Sequence, residues 1–147
     1  MRNKIYPYYS EYFHQLASIY DACKLDELIY EGAQFQLVPL VSDEVRKKAL
    51  LDSSIYFSGD SNPLGYVAFN EQEIVGLNVL SEARGTGLGR SLLLFALNKM
   101  KRPVYLQVVT SNQAAMSLYY SLGFCFDHET KVLYNGVSVK ISRLVLI

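Results

Sequence analysis

The chain has 147 residues, half of them apolar, which suits one compact domain with its own core and excludes a disordered tail or a pair of domains. Lysine plus arginine and aspartate plus glutamate balance at 14 each, so no net field draws the protein to nucleic acid or to an anionic membrane surface. Cys23 and Cys125 have neither CxxC nor ligand-like spacing, and the stretch Met1 to Pro7 lacks the apolar run of a signal peptide. The expectation is a reduced, cytosolic protein with no structural disulfide, and no apolar run is long enough to span a bilayer.

In chain order, apolar residues at 12, 13, 16, 19 and 20 predict a one-faced helix over Ser10–Ala22, with Ser10 as its N-cap. Leu25 to Tyr30 continues or restarts that helix, Phe35 to Leu40 reads as extended, and Asp43 to Leu51 carries a short helix opened by acidic residues. Within it, Arg46-Lys47-Lys48 reads as a solvated face whose charge Asp43 and Glu44 largely offset. From Ser54 the pattern turns to strands. Ile55 to Phe57, Leu64 to Phe69 and Ile74 to Leu80 are separated by turn residues at Gly59 to Pro63 and Asn70 to Gln72, which predicts a three-stranded meander.

A helix from about Gly87 to Met100 and a buried strand from Val104 to Val109 then complete a strand, helix, strand crossover. Ser111 or Asn112 caps the next helix, which ends at Gly123, with Phe124 placed for the apolar contact that accompanies a glycine C-cap. Val132–Tyr134 and Val137–Val139 flank Asn135-Gly136, the dipeptide suited to a type I′ turn, and the second strand of this closing hairpin runs on to Leu146.

Between the third strand and the helix lies Arg84-Gly85-Thr86-Gly87-Leu88-Gly89-Arg90. Glycines at alternate positions let the backbone take unusual dihedrals and approach a ligand closely, while the helix N-terminus beyond them favours an anion such as a phosphate. The G-x-G-x-G spacing is not the G-x-G-x-x-G of a dinucleotide fold, and Gly89 is followed by Arg90 rather than by the Lys of a Walker loop.

These residues resemble the GNAT superfamily of acyl-CoA-dependent N-acyltransferases. The pyrophosphate loop of that family reads Gln or Arg, two residues, Gly, one residue, Gly or Ala, which Arg84 to Gly89 fits. A second family element, Asn-x-x-Ala-x-x-Leu-Tyr-x-x-x-Gly-Phe, stands here as Asn112, Ala115, Leu118, Tyr119, Gly123 and Phe124. The resemblance covers about Leu64 to Phe124. It implies an α/β fold with a central mixed, mostly antiparallel sheet, helices on both faces, and two splayed strands forming a cleft for CoA.

By the same resemblance, Leu77, Asn78 and Val79 give backbone hydrogen bonds to the pantetheine arm of acetyl-CoA. Arg84, Gly85, Thr86, Gly87, Leu88, Gly89 and Arg90 cradle its pyrophosphate, and Asn112 touches the cofactor while capping its helix. Tyr119 is the acid that meets the departing thiolate, a role set against that of a core aromatic. Glu73 resembles the general-base glutamate of the histone-acetylating branch; the other reading is a solvated carboxylate at a strand edge. The branch acting on ribosomal-protein N-termini carries its glutamate where Gln107 stands here, and a glutamine cannot accept that proton.

The implied activity is acetyl transfer to a primary amine of a small molecule or peptide by direct attack in a ternary complex, with a non-catalytic acyl-CoA-binding module as the alternative. The family allows a monomer or a homodimer. His14 and His128 lack partners at ligand or triad spacing, so no metal is expected.

Overall fold

The computed structural model describes residues 4–32 and 34–147, so the first three residues of the N-terminal stretch and Ala33 lie outside the described residues. Strand β1 (Lys4–Pro7) leads through a 3₁₀ turn at Ser10–Tyr12 into helix α1 (Phe13–Glu27). A second 3₁₀ turn (Leu40–Ser42) precedes α2 (Glu44–Leu51), followed by β2 (Ser54–Gly59), β3 (Pro63–Phe69) and β4 (Glu73–Val79). Helix α3 (Leu88–Leu97), β5 (Val104–Val109), α4 (Gln113–Ser121), β6 (Cys125–Tyr134) and β7 (Val137–Leu146) complete the chain.

The seven strands form one sheet in the order β1-β2-β3-β4-β5-β7-β6. Every neighbouring pair is antiparallel except β4 with β5. That parallel pair follows from the α3 crossover, which returns the chain to the same edge in the same direction. The expected mixed, mostly antiparallel sheet with helices on both faces is present.

Period-two alternation sorts the strand residues between two cores. Tyr66 and Ala68 of β3, with Ile55 and Phe57 of β2, pack against Leu16, Ile19, Tyr20 and Cys23 of α1 and Leu50 of α2. Val67 and Phe69 of β3 face the other way, onto Leu92, Leu93 and Ala96 of α3 and Met116 and Tyr119 of α4. Both faces of β3 are buried, which is why it reads as an unbroken apolar run.

Several boundaries differ from the sequence reading. β1 has no counterpart in it: four residues at a sheet edge carry little alternation, and what holds them is packing of Tyr6 on Phe57, with Tyr8 beside it. Ser10 makes no side-chain cap, because the 3₁₀ turn delays α1 until Phe13, and α1 then continues to Glu27. The segment 34–39 forms no strand; it is anchored by side chains, Val38 N–H donating to Tyr134 Oη at 2.8 Å and Leu40 N–H to Asp21 Oδ1 at 2.9 Å.

α3 ends at Leu97, short of Met100. β6 spans ten residues instead of three, since its exposed outer edge leaves no apolar pattern to read. The hairpin turn is as expected, with Asn135 at φ 47° and Gly136 at φ 82°.

Candidate active site

The pairing of β4 with β5 is confined to Glu73 opposite Tyr105 and Ile74 opposite Leu106. Beyond it the strands part. The register of β4 against β3 slips by one residue there, because Ala68 faces Gly76 while Phe69 faces Ile74, leaving Val75 as a bulge that bends β4 away from β5. The parting opens a cleft of about 1240 Å³ bounded by α1, α2, β4, the glycine loop, β5, α4, the end of β6 and β7.

Residues 77 to 79 lie on the cleft-side stretch of β4. Leu80 N–H donates to Leu64 C=O at 2.8 Å, so by the two-residue period Asn78 also turns its backbone groups to β3, and Leu77 and Val79 turn theirs to the cleft. The Asn78 side chain accepts from Tyr66 Oη at 2.6 Å. Val79 C=O already accepts from Arg84 Nε at 2.9 Å and from the Cys23 thiol at 3.4 Å.

The glycine loop leaves its backbone donors open. Gly85 and Gly87 have φ of 77° and 86°, the left-handed region that L side chains avoid, and a Cβ on either would project into open space. Among the described residues no backbone N–H from Gly85 through Arg90 donates to a protein acceptor; the ladder of α3 begins with Ser91 N–H to Gly87 C=O at 2.9 Å. Six successive N–H groups at a helix N-terminus therefore stand unpaired beside the cleft, where the partial positive charge of the helix end adds to them. Leu88 anchors the turn in the core, and Thr86 Oγ1 closes it by donating to Ala83 C=O at 2.6 Å.

The two arginines of this loop differ. Arg84 turns back on α1, its guanidinium 3.0 Å from Asp26 Oδ2 and donating to Val79 C=O, so in this structure it ties the loop to α1 instead of facing the N–H cradle. Arg90 is exposed and lines the cleft, and among the described residues its side chain meets only Ser121 Oγ, at 3.5 Å.

Asn112 caps α4, its Oδ1 accepting from Ala115 N–H at 3.4 Å, and it borders the cleft. Tyr119 is 7% exposed, and its hydroxyl is without a protein partner among the described residues although the side chain lines the cleft. Burial first, and the nearby Glu27 carboxylate second, push its phenol well above the ordinary value, so it stays protonated at neutral pH. Tyr120, one residue on, is exposed on the other side of the helix.

Glu73 also borders the cleft, at the closed end where β4 and β5 are still paired, and it is exposed. Asn70 Oδ1 fixes its backbone by accepting its N–H at 2.9 Å. Gln107 is exposed on β5.

Sequence reasoning misses the wall made by α1. Tyr20, Cys23, Lys24 and Glu27 recur at helical spacing and all line the cleft, where Lys24 Nζ pairs with Glu27 Oε1 at 2.7 Å and lies 4.8 Å from the centre of the Tyr134 ring. The spacing is visible in the sequence, but the one-faced periodicity places the helix end at Ala22. Arg46 of α2 is the second omission: it lines the cleft instead of lying on a solvated basic face. Burial raises the Cys23 thiol, which Arg84 partly offsets, and Asp26 and Glu27 raise it further. Among the described residues no three His, Cys, Asp or Glu side chains gather as metal ligands, and no helix is long and apolar enough to cross a membrane.

Splayed strands beside a bulged β4, a glycine turn opening α3 and helices on both faces of a mixed sheet give the chain an acetyltransferase class of fold. The chain belongs to the acetyltransferase (GNAT) family, which it matches over residues 9–124. It is 36% identical over 81 residues to a mycothiol acetyltransferase of Renibacterium salmoninarum and 41% identical over 71 residues to that of Kocuria rhizophila. Those matches cover 52% and 46% of this chain but only 23% and 21% of the relatives' length. A phosphinothricin acetyltransferase from Sinorhizobium meliloti, solved in complex with acetyl-CoA, is similar in structure with a TM-score of 0.72 at 17% identity, covering 99% of this chain and 88% of that one.

Proposed function

We propose that this protein transfers the acetyl group of acetyl-CoA to a primary amine by direct attack within a ternary complex. The observation that carries this reading is the run of six unpaired N–H groups from Gly85 to Arg90, set at the mouth of the cleft that Tyr119 lines. That cradle matches a pyrophosphate in charge and donor geometry, and the open edge of β4 matches an extended amide-bearing arm.

Acetyl-CoA would supply an activated thioester. Residues 85 to 90 bind its pyrophosphate, joined by Arg84 once it exchanges Asp26 for a phosphate oxygen. The backbones of Leu77 and Val79 align the arm with the strand, Asn78 braces β4 through Tyr66, and Asn112 holds the start of α4 against the cofactor.

As the amine nitrogen bonds to the acyl carbon and the carbon–sulfur bond breaks, Tyr119 donates its proton to the departing sulfur. A protonated phenol without a protein acceptor is suited to that role. Glu73 takes the amine proton through water from the closed end of the cleft. An alkylamine is only roughly one part in a thousand neutral at pH 7, so removal of that proton is a real barrier.

Calorimetric titration with acetyl-CoA, with desulfo-CoA and NADH alongside, tests the cofactor; CoA thiol release over a panel of amines tests the reaction. Micromolar acetyl-CoA binding with sustained thiol release is the expected result. Binding without turnover on any amine would leave a non-catalytic acyl-CoA-binding module, and absence of binding would remove the CoA site itself.

A further inference from the structure

Among the described residues four cations line the cleft: Lys24, Arg46, Arg84 and Arg90. Lys24 is neutralised by Glu27 and Arg84 by Asp26. Arg90 stands at the phosphate cradle. That leaves Arg46, on α2, half-buried and without an ion-pair partner among the described residues.

Its placement is fixed at both ends. The backbone N–H of Arg46 is capped by Asp43 Oδ1 at 3.1 Å, and one guanidinium nitrogen donates to the carbonyl of Val75, the bulged residue where β4 leaves β5. The remaining donors of the planar fork have no protein acceptor among the described residues. Arg46 lines the cleft beside Tyr20; burial raises the phenols of Tyr20 and Tyr66, and the positive charge of Arg46 opposes that rise on each.

This charge does not serve the pyrophosphate. From Val75 to Val79 the strand alone covers about 13 Å, and the glycine loop lies beyond it. The bulge marks the opposite, narrow end of the cleft, toward which an arm entering from the loop extends its reactive end.

We infer that Arg46 binds a carboxylate carried by the acceptor, so that the amine acetylated here belongs to a small amino acid whose acid group docks on the guanidinium fork. This rests on the acetyltransferase reading above. A bidentate guanidinium–carboxylate pair both neutralises the half-buried charge and orients the ligand. An amine without an acid group leaves that charge uncompensated.

The test compares kcat/KM for α-, β- and γ-amino acids with that for their methyl esters, following CoA thiol release by the wild type, Arg46→Gln and Arg46→Lys. Glutamine keeps a donor for Val75 C=O and loses the charge. The expected result is at least about a tenfold preference for the acids, the size of one charge-assisted hydrogen bond. Arg46→Gln abolishes the preference, Arg46→Lys retains part of it, and KM for acetyl-CoA stays within about twofold. Esters carry the less basic amine and more free base, so a preference for acids runs against that bias.

Esters used as well as acids, or a preference that survives Arg46→Gln, would overturn the inference while leaving acetyl transfer intact. If no amine turns over, the acetyltransferase reading fails, and calorimetry of N-acetylglycine and N-acetyl-γ-aminobutyrate with the CoA complex decides the carboxylate site separately. Binding that is lost in Arg46→Gln sustains it; no binding, or equal binding, overturns it.

Discussion

The rings of Tyr119 and Phe124 meet nearly edge-on at 5.8 Å across the end of α4. Gly123, at φ 98°, reverses the chain between them, with Gly123 N–H bonded to Tyr120 C=O at 3.1 Å and Phe124 N–H to Tyr119 C=O at 3.2 Å. This is a Schellman turn with its apolar contact. The termination signal of the helix is thus also what holds the proposed acid in position.

Tyr119→Phe keeps the ring and its contact with Phe124 and removes only the hydroxyl. It should lower kcat by about 100-fold or more, as loss of a general acid does, with acetyl-CoA affinity within about twofold. Steady-state kinetics and calorimetry on the same preparation separate the two. An equal loss in both would assign Tyr119 to cofactor binding.

Gly87→Val places a side chain in the left-handed region and in the open space facing the cradle. The fold should lose about 1–2 kcal/mol from backbone strain. Acetyl-CoA affinity should fall by about tenfold or more, because the N–H groups are turned from their common point. Chemical denaturation and calorimetry give the two quantities independently.

Arg84 and Asp26 form a half-exposed pair, worth about 1 kcal/mol or less to stability. Asp26→Asn removes the competitor for Arg84 and should tighten acetyl-CoA binding by about two- to fivefold, whereas Arg84→Ala should weaken it. An unchanged Kd in both variants would confine Arg84 to bracing the loop against α1.

Burial raises the phenols of Tyr20, Tyr66 and Tyr119 above the ordinary value near 10. A folded-state pKa above the unfolded one means that the folded chain holds these protons longer. Stability from these groups is complete below the unfolded value and is lost as pH rises beyond it toward the folded values. Melting temperature should be flat from pH 7 to about 8, decline slightly as the Cys23 thiol, also raised by burial, begins to ionise in the unfolded chain, and fall more steeply above about pH 10. Tyr66→Phe should lessen the alkaline slope; a slope unchanged in that variant would place the titration elsewhere.

Much of the site is legible in the sequence because its signals are local. A glycine loop between a strand and a helix, an Asn cap, a Gly–Phe stop and an Asn-Gly turn each act over seven residues or fewer, where backbone sterics and one or two hydrogen bonds decide conformation. β1 and the length of β6 are not legible there, because edge strands take their order from a neighbouring strand and show no apolar alternation of their own.

By itself, then, the sequence determined the order of the elements from α1 to β7, the glycine turn that opens α3, and the Asn112 and Gly123 ends of α4. Tertiary structure alone decided that β7 inserts between β5 and β6, that Val75 bulges where β4 and β5 part, that Asn78 turns its backbone to β3, and that Arg84 pairs with Asp26. It also brought Glu27 and Arg46 into the cleft. The physical reason is range: a cap or a turn is settled by neighbours along the chain, whereas strand order and the pairing of charges depend on which distant segments pack together and leave water.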